Sequence, residues 1–348
     1  MHRTPLGLDQ VSKCLASYVR ATCGERFSVE RLKVMEAGHA GLTFGFDLVT
    51  DGSSPPRGLV LKLAPQGVRR AGNTDVYRQA PLLRALSVAG MPVPDVPFAE
   101  EDDAWFGAPF IVMERLVGEP FFVWQPAPSF DLSRGAVAPL WEQTIDAMVE
   151  LHRFDWQRHL PHWEAPRALA EELNRWQPVL HKAPHAEWVK AGRRVEDRLV
   201  ATLPSDSPVG LVHGDCQPGN ALFEEGRMTG LIDWELASIG ARWLDVGWMM
   251  MLADQCSWNA DWRPHCPLKP EDIAGRYLAA MAEEGKSLRW FQAFAGYRLG
   301  AIACLNVHLH RSGRRRDETW EHFGSAIPQL FSRALALLAE EPLSPGGR

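Results

Sequence analysis

The spacing of apolar residues changes once along this chain of 348 residues, and that change limits the folds available to it. After an amphipathic helical pattern over 8–22, short β-type runs separated by Gly, Pro and Ser cover 27–34, 43–49, 59–63, 93–98 and 109–113, with one helical pattern over 74–89 between them. From about residue 132 the spacing is mostly helical, over 135–153, 186–201, 270–284, 287–311 and 318–339. The sequence therefore predicts an α+β fold, with an antiparallel-sheet N-terminal lobe over 1–115, a mainly helical C-terminal lobe over 116–348, and a hinge around 114–120.

The composition excludes several classes of protein. Apolar residues make up 46% and charged residues 23% of the chain, as in a soluble globular protein. The net charge of −6 is spread along the chain, so we expect neither nucleic acid nor a membrane as partner. The most apolar stretch, 291–309, is interrupted by Gln292, Arg298 and Asn306. Six cysteines without framework spacing and an N-terminus without an apolar signal predict a cytoplasmic protein with free thiols.

One β-hairpin is set among the predicted helices, and it carries the densest group of polar residues. Two β-like pieces, 220–223 and 228–232, bracket a tight turn; His213, Asp215 and Asn220 precede or begin the hairpin, and Asp233 follows it. The order H-x-D-x-x-x-x-N, followed by Asp after an apolar strand, is that of a kinase catalytic loop and metal loop. Phosphoryl transfer requires an oriented hydroxyl and neutralisation of phosphate charge. We therefore expect Asp215 to act as base, and Asn220 and Asp233 to bind Mg²⁺, which prefers oxygen ligands.

These motifs resemble the aminoglycoside phosphotransferase and choline kinase superfamily, in particular the branch related to the kinase-like domains of some acyl-CoA dehydrogenases. The matching segments are HGDCQPGN at 213–220, LIDWELASIGARWLDVGW at 231–248, PVP at 92–94 and GAPFIVMERLVGE at 107–119. The resemblance spans roughly residues 30–250. It implies a protein-kinase-like two-lobed fold, ATP and Mg²⁺ as cofactors, and a small-molecule hydroxyl compound as phosphate acceptor.

The resemblance also implies a set of site residues. Asp215 matches the catalytic aspartate, and Asn220 and Asp233 match the metal ligands. His213, His152 and Asp245 are expected to brace the catalytic loop. The nucleotide-binding residues implied are Lys62 for the ATP phosphates, Gly38 and Gly41 in the phosphate-covering loop, and Met113, Glu114 and Leu116 in the adenine-contacting hinge.

One departure from the family pattern leaves an alternative open. Kinase-like enzymes pair the strand lysine with a helix glutamate, but the corresponding position holds Gln79. Either Gln79 binds the Lys62 ammonium, or Asp75, four residues earlier on the same helical face, replaces it. The missing glutamate motivates a second interpretation, a catalytically silent kinase-like protein that binds nucleotide or ligand.

The phosphate acceptor also stays open at this point. An aminoglycoside, a macrolide, an amino alcohol, a sugar or a hydroxyacyl thioester would all fit the same catalytic residues. Region 120–200, where we expect the acceptor to bind, is rich in tryptophan and only weakly acidic. That composition favours an acceptor more apolar than a polycationic aminoglycoside.

Overall fold

The structure is a computed structural model that describes residues 7–35, 42–52, 54–65, 67, 70, 72–205 and 207–339. The elements of its N-terminal region are α1 (Leu8–Cys23), β1 (Phe27–Val34), β2 (Leu42–Thr50), β3 (Arg57–Leu63), α2 (Gln79–Val88), β4 (Phe98–Glu100) and β5 (Phe110–Glu114). The strands form a five-stranded sheet of order β1-β2-β3-β5-β4, in which every neighbouring pair is antiparallel.

Two predicted boundaries in this region were wrong. The strand expected over 93–98 begins only at Phe98, because the prolines at 92, 94 and 97 cannot donate to a β ladder. The helix expected from residue 74 begins at Gln79, after a short 3₁₀ turn over Gly72–Thr74. The antiparallel sheet with one intervening helix is confirmed.

Strand alternation in β3 decides which way the predicted nucleotide lysine points. Leu59, Leu61 and Leu63 are buried in a cluster with residues of α1. Since successive side chains leave opposite faces of a strand, Lys62 lies on the other face, next to Ile111 of β5 in the ladder. Ile111 belongs to the large core shared with the helical region. The sheet therefore directs Lys62 towards the C-terminal part of the molecule.

The C-terminal region is mainly helical, and its main elements match the predicted helices within a few residues. The helices are α3 (Arg134–Arg153), α4 (Trp156–His159), α5 (Leu169–Asn174), α6 (Gln177–Leu180), α7 (Ala186–Ala201), α8 (Trp243–Ala253), α9 (Pro270–Met281), α10 (Leu288–Arg311) and α11 (Thr319–Ala339). The predicted protein-kinase-like division into a sheet region and a helical region is confirmed. The exact boundary at residue 115 stays a prediction.

In the described part of the helical region, five short strands form two small antiparallel sheets. The predicted hairpin is confirmed, and its strand β8 also pairs with a two-residue strand that follows the hinge. The second sheet joins the strand before the catalytic loop to the strand after the metal loop. The strands are β6 (Glu119–Pro120), β7 (Val209–Val212), β8 (Ala221–Glu224), β9 (Arg227–Leu231) and β10 (Ser238–Ala241).

Two expectations from composition can be compared with the fold. The six cysteines are free thiols. In the part of the chain that the structure describes, no helix has the length and apolarity needed to cross a membrane.

Candidate active site

The predicted catalytic loop connects β7 to the 3₁₀ turn over Pro218–Asn220 that precedes β8. Gly214 adopts φ +86°, and a Cβ there would lie 2.6 Å from the carbonyl oxygen of Leu236. A side chain would therefore be strained and would also collide with backbone. The glycine lets the chain turn sharply and present Asp215 at the cleft.

Asp245, in the first turn of α8, binds the backbone of this loop. Its carboxylate is fully buried and accepts hydrogen bonds from the backbone N–H groups of His213 at 2.7 Å and Gly214 at 2.8 Å. The ring of His152 lies 3.2 Å away through Nε2, and its Nδ1 is 2.9 Å from the Tyr277 hydroxyl. Burial alone would raise the pKa of Asp245, but the contacts with His152 and His213 outweigh it and lower that pKa.

His213 links the catalytic loop to the metal loop. Its Nδ1 lies 3.3 Å from the backbone nitrogen of Asp215, and its Nε2 lies 3.0 Å from the carbonyl oxygen of Ile232. An amide N–H can only donate and a carbonyl can only accept, so these two bonds assign the proton to Nε2. The histidine thus fixes the base position and the residue before Asp233 relative to each other, which is the bracing role expected of it.

The structure brings the predicted base, Asp215, and the two predicted metal ligands together. The Asn220 side-chain amide donates from Nδ2 to the carbonyl oxygen of Asp215 at 2.9 Å, and the Ile232 amide donates to the Asn220 carbonyl oxygen at 2.9 Å. Asp233 follows directly, with φ +64° in the left-handed region. Burial raises the pKa of Asp215, the charge of Asp233 raises it further, and the charge of Arg298 opposes both. The charges of the Asp215 and Asp233 carboxylates therefore interact.

Lys62 reaches this group of carboxylates from the sheet. Its ammonium is 3.5 Å from Asp233 Oδ1 and 3.4 Å from Glu235 Oε2, and its side chain is 7% exposed. Sequence reasoning missed Glu235, although the spacing Asp233-Trp234-Glu235 places a second acid just beyond the metal loop. Burial raises the pKa of Glu235 to about 7, with a further contribution from the charge of Asp233 and opposition from Lys62.

Neither partner predicted for Lys62 occupies that position. Asp75 pairs instead with Arg70 at 3.2 Å. No hydrogen bond joins the Lys62 ammonium to Gln79 within the described residues, and the Nε2 atom of Gln79 is buried without a partner there. The Lys62 ammonium pairs instead with the carboxylates of Asp233 and Glu235.

The predicted hinge residues lie at the end of β5 and just after it, and Leu116 contacts the hairpin. Met113 and Glu114 end β5, with Glu114 bonded to Arg57 at 2.7 Å on the surface. Leu116 packs directly over Gly230 of β9, where a Cβ would collide with it. The hinge therefore touches the same hairpin that carries Asn220 and precedes Asp233. Gly38 and Gly41, predicted for the phosphate-covering loop, lie outside the described residues.

The residues present fit a divalent cation held jointly with phosphate. Two partly buried carboxylates, Asp233 and Glu235, face a single ammonium. Burial raises the pKa of Glu235, and the negative charge of Asp233 raises it further. Among the described residues, no set of three or more His, Cys, Asp or Glu side chains forms a complete metal site. Mg²⁺ is usually bound through one or two carboxylates, with waters and substrate phosphates completing its shell.

An antiparallel sheet joined to a helical region, with an Asp-Asn-Asp group at their junction, is the architecture of kinase-like phosphotransferases. The chain matches the phosphotransferase enzyme family over residues 45–291. Because this match covers well over half of the sequence, the chain belongs to that family.

Relatives with sequence similarity are of two kinds. The chain is 26% identical to mouse acyl-CoA dehydrogenase family member 10 over 55% of this chain, and 27% identical to a probable acyl-CoA dehydrogenase, IBR3, of Arabidopsis thaliana over 64%. It spans only 18% and 28% of the length of those two relatives. A segment covering 18% of this chain and 21% of the relative is 38% identical to homoserine kinase of Rhodospirillum rubrum.

Three solved structures with the same fold carry the description of a phosphotransferase. A Ralstonia eutropha protein provisionally assigned as an aminoglycoside phosphotransferase has a TM-score of 0.74 at 18% identity, covering 95% of this chain and 98% of that one. Aminoglycoside phosphotransferase APH(4)-Ia, solved as a thermostable mutant with ADP and hygromycin B, has a TM-score of 0.59 at 17% identity, covering 96% and 99%. Macrolide 2'-phosphotransferase type I has a TM-score of 0.58 at 18% identity, covering 94% and 99%. At these identities the likeness shows the fold.

Proposed function

We propose that this protein is an ATP- and Mg²⁺-dependent phosphotransferase that moves the γ-phosphate of ATP to a hydroxyl group of a small molecule. The observation that carries the proposal is the convergence of Asp215, Asn220 and Asp233, which are fixed to one another through His213 and backbone hydrogen bonds. Family membership and the fold shared with structures that contain ADP or an ATP analogue support the same chemistry.

In this proposal Asp215 orients the acceptor hydroxyl and takes its proton as the new oxygen–phosphorus bond forms. The bond to the bridging oxygen breaks at the same time, and ADP leaves. Burial and the neighbouring Asp233 raise the pKa of Asp215, which strengthens it as a proton acceptor whenever it is ionised. Gln217 donates to Asp215 Oδ1 at 2.9 Å, so one carboxylate oxygen is anchored and the other is available to the hydroxyl.

The remaining residues handle charge. The Nδ2 atom of Asn220 is engaged by the Asp215 carbonyl, so its side-chain oxygen is the atom that would face Mg²⁺, together with the carboxylate of Asp233. Mg²⁺, when bound, would neutralise charge on the phosphate oxygens. Lys62 would contact the ATP phosphates from the sheet, and Met113, Glu114 and Leu116 would line the adenine. Glu235 would hold the Lys62 ammonium in place of the missing helix glutamate.

The test is ATP consumption with Mg²⁺ across aminoglycoside, macrolide, amino alcohol, sugar and hydroxyacyl thioester acceptors. Asp215→Asn should bind Mg-ATP normally but lose a factor of roughly 10² to 10⁴ in turnover, the usual contribution of a positioned base. Asp197→Asn, on the exposed face of α7, is the matched control and should retain full activity.

Two outcomes would change the assignment. Full activity in Asp215→Asn would remove this residue from the role of base. Tight Mg-ATP binding without turnover on any acceptor would favour the catalytically silent alternative.

A further inference from the structure

Resting on the proposed function, we propose that the acceptor is an amphiphilic anion: a hydroxyl compound whose apolar segment ends in a carboxylate or phosphate. The anionic group binds in a cavity lined by Arg134 and Arg263. The apolar segment lies between that cavity and the catalytic loop, and the hydroxyl faces Asp215.

The cavity lies beside the first turn of α3 and the loop that follows α8. Its volume is about 440 Å³, enough for the end of a small molecule but not for a compact ligand together with a nucleotide. The described lining includes two tryptophans, two arginines and one histidine, with one acid among them. The residues used here are Trp124, Arg134, Asp261, Trp262, Arg263 and His265.

The charge in this cavity is not balanced by the protein. Arg134 and Arg263 are both exposed, and neither forms an ion pair within the described residues, although Asp261 belongs to the same lining. Some exposed arginines of this chain are paired, such as Arg276 with Asp146 at 2.7 Å and Arg311 with Glu321 at 2.8 Å. Guanidinium groups bind carboxylates and phosphates through paired N–H donors. Two uncommitted guanidiniums around one cavity therefore favour an anion.

Both lining tryptophans have an unused donor. The indole N–H groups of Trp124 and Trp262 are buried and find no acceptor among the residues the structure describes. Buried donors in proteins are nearly always paired. An oxygen-rich anionic group in the cavity would offer acceptors of the kind that these two side chains lack.

The polypeptide connects the cavity to the catalytic loop over a short distance. The Phe121 amide donates to the carbonyl oxygen of Pro218, between Asp215 and Asn220 in sequence, at 3.2 Å. The carbonyl oxygen of Val123 accepts from the His265 amide at 2.6 Å. The three residues from Phe121 to Trp124 can span at most about 11 Å. A ligand of moderate length can therefore reach both places.

Two exposed hydrophobic side chains lie along this connection. Phe122, within the connecting segment, is 49% exposed, and Leu132, which lines the cavity, is 48% exposed. Exposed apolar groups beside a polar cavity often mark a ligand-binding surface. The order along the surface is thus base, apolar side chains, then cations. A polycation such as an aminoglycoside would meet repulsion at the far end.

The test uses four acceptors with the same carbon chain and different end groups: ω-hydroxydecanoate, ω-hydroxydecyl phosphate, decanediol and aminodecanol. We expect kcat/KM for at least one anion to exceed that for decanediol and aminodecanol by tenfold or more. In the double variant Arg134→Gln with Arg263→Gln, the ratio of anion to diol should fall at least tenfold. Arg194→Gln, an exposed arginine on α7, is the matched control and should leave the ratio unchanged. The anion with the higher kcat/KM identifies the preferred end group.

A parallel binding measurement by calorimetry separates this inference from the proposed function. Turnover of all four compounds without preference for the anions would overturn the inference and leave the phosphotransferase assignment intact. Absence of turnover, together with anion binding that is lost in the double variant, would support the cavity and contradict the proposed reaction. Equal anion affinity in wild type and double variant would refute the cavity.

Discussion

Replacement of Arg298 tests how the helical region holds the catalytic loop. Arg298 lies in α10, is only 4% exposed, and donates from Nη2 to the carbonyl oxygen of Gly214 at 2.6 Å. Its guanidinium also lies 4.9 Å from the ring centre of Trp176 and 4.8 Å from that of Trp248. Since Asp245 binds the amide of Gly214, the residue before Asp215 is fixed on both its N–H and its C=O.

The magnitude follows from these contacts. A hydrogen bond to a charged donor contributes about 1.5–3 kcal/mol, and a desolvated cation–π contact up to about 2 kcal/mol. Burial of the charge offsets part of this, as does the Nε atom of Arg298, which has no acceptor within the described residues. Loss of one member of a buried charged network typically costs about 3–5 kcal/mol. We therefore expect Arg298→Met to lower the free energy of unfolding by about 4 kcal/mol.

The assay is urea unfolding followed by tryptophan fluorescence, with Arg153→Met as control. The Arg153 side chain is 49% exposed and pairs with Glu150, so its loss should cost no more than about 1 kcal/mol. Arg298→Lys keeps the charge but not the planar group and should fall between wild type and Arg298→Met. A loss below about 1 kcal/mol in Arg298→Met would refute the argument that this residue fixes the loop.

Two further predictions concern stability. Gly118→Ala should lower the free energy of unfolding by about 3 kcal/mol, because φ is +101° and the new Cβ would lie 2.7 Å from the Phe223 carbonyl oxygen. The control is Gly24→Ala, at φ +99° in open space, which should lose only the part due to backbone conformation. Equal losses of stability in the two variants would show that the collision is absent. Asp47 is buried against Arg31 and Arg115; burial alone would raise its pKa, but these partners lower it. Its stabilisation is therefore complete above the unfolded pKa of about 3.9 and disappears as pH falls through the lower folded pKa, so unfolding measured across this range should show the deficit of Asp47→Asn, about 2 kcal/mol at neutral pH, shrinking with acid. A deficit that is constant with pH would contradict the ion pairing.

The fold followed from the sequence where one local pattern dominates. Strand β1 and helix α7 have the predicted limits. The amphipathic spacing of α7 continues to its end, and β1 keeps its predicted length despite a bulge between Glu30 and Lys33. The hairpin β8–β9 was recognisable from its turn. Strand β6, by contrast, has only two residues and exists because it pairs with β8. No pattern in the local sequence predicts that pairing.

The site was predictable only as far as its motifs extend along the chain. Asp215, Asn220 and Asp233 lie within one segment, so their convergence could be expected from spacing. The partner of Lys62 could not, because Glu235 meets Lys62 across 173 positions of sequence. In the sequence, Arg298 was recognisable only as a polar residue that interrupts an apolar stretch. Its contact with Gly214 could not be predicted, because it depends on how α10 packs against the loop.

In the proposed reaction, Asn220 and Asp233 hold a nucleotide-bound Mg²⁺ in front of Asp215. The most direct measurement is a crystal structure of the protein with Mg²⁺ and a non-hydrolysable ATP analogue. We predict a magnesium ion about 2.1 Å from side-chain oxygens of Asn220 and Asp233, with the Asp215 carboxylate facing the γ-phosphate. A nucleotide bound elsewhere, or a metal ion that contacts neither residue, would contradict the account.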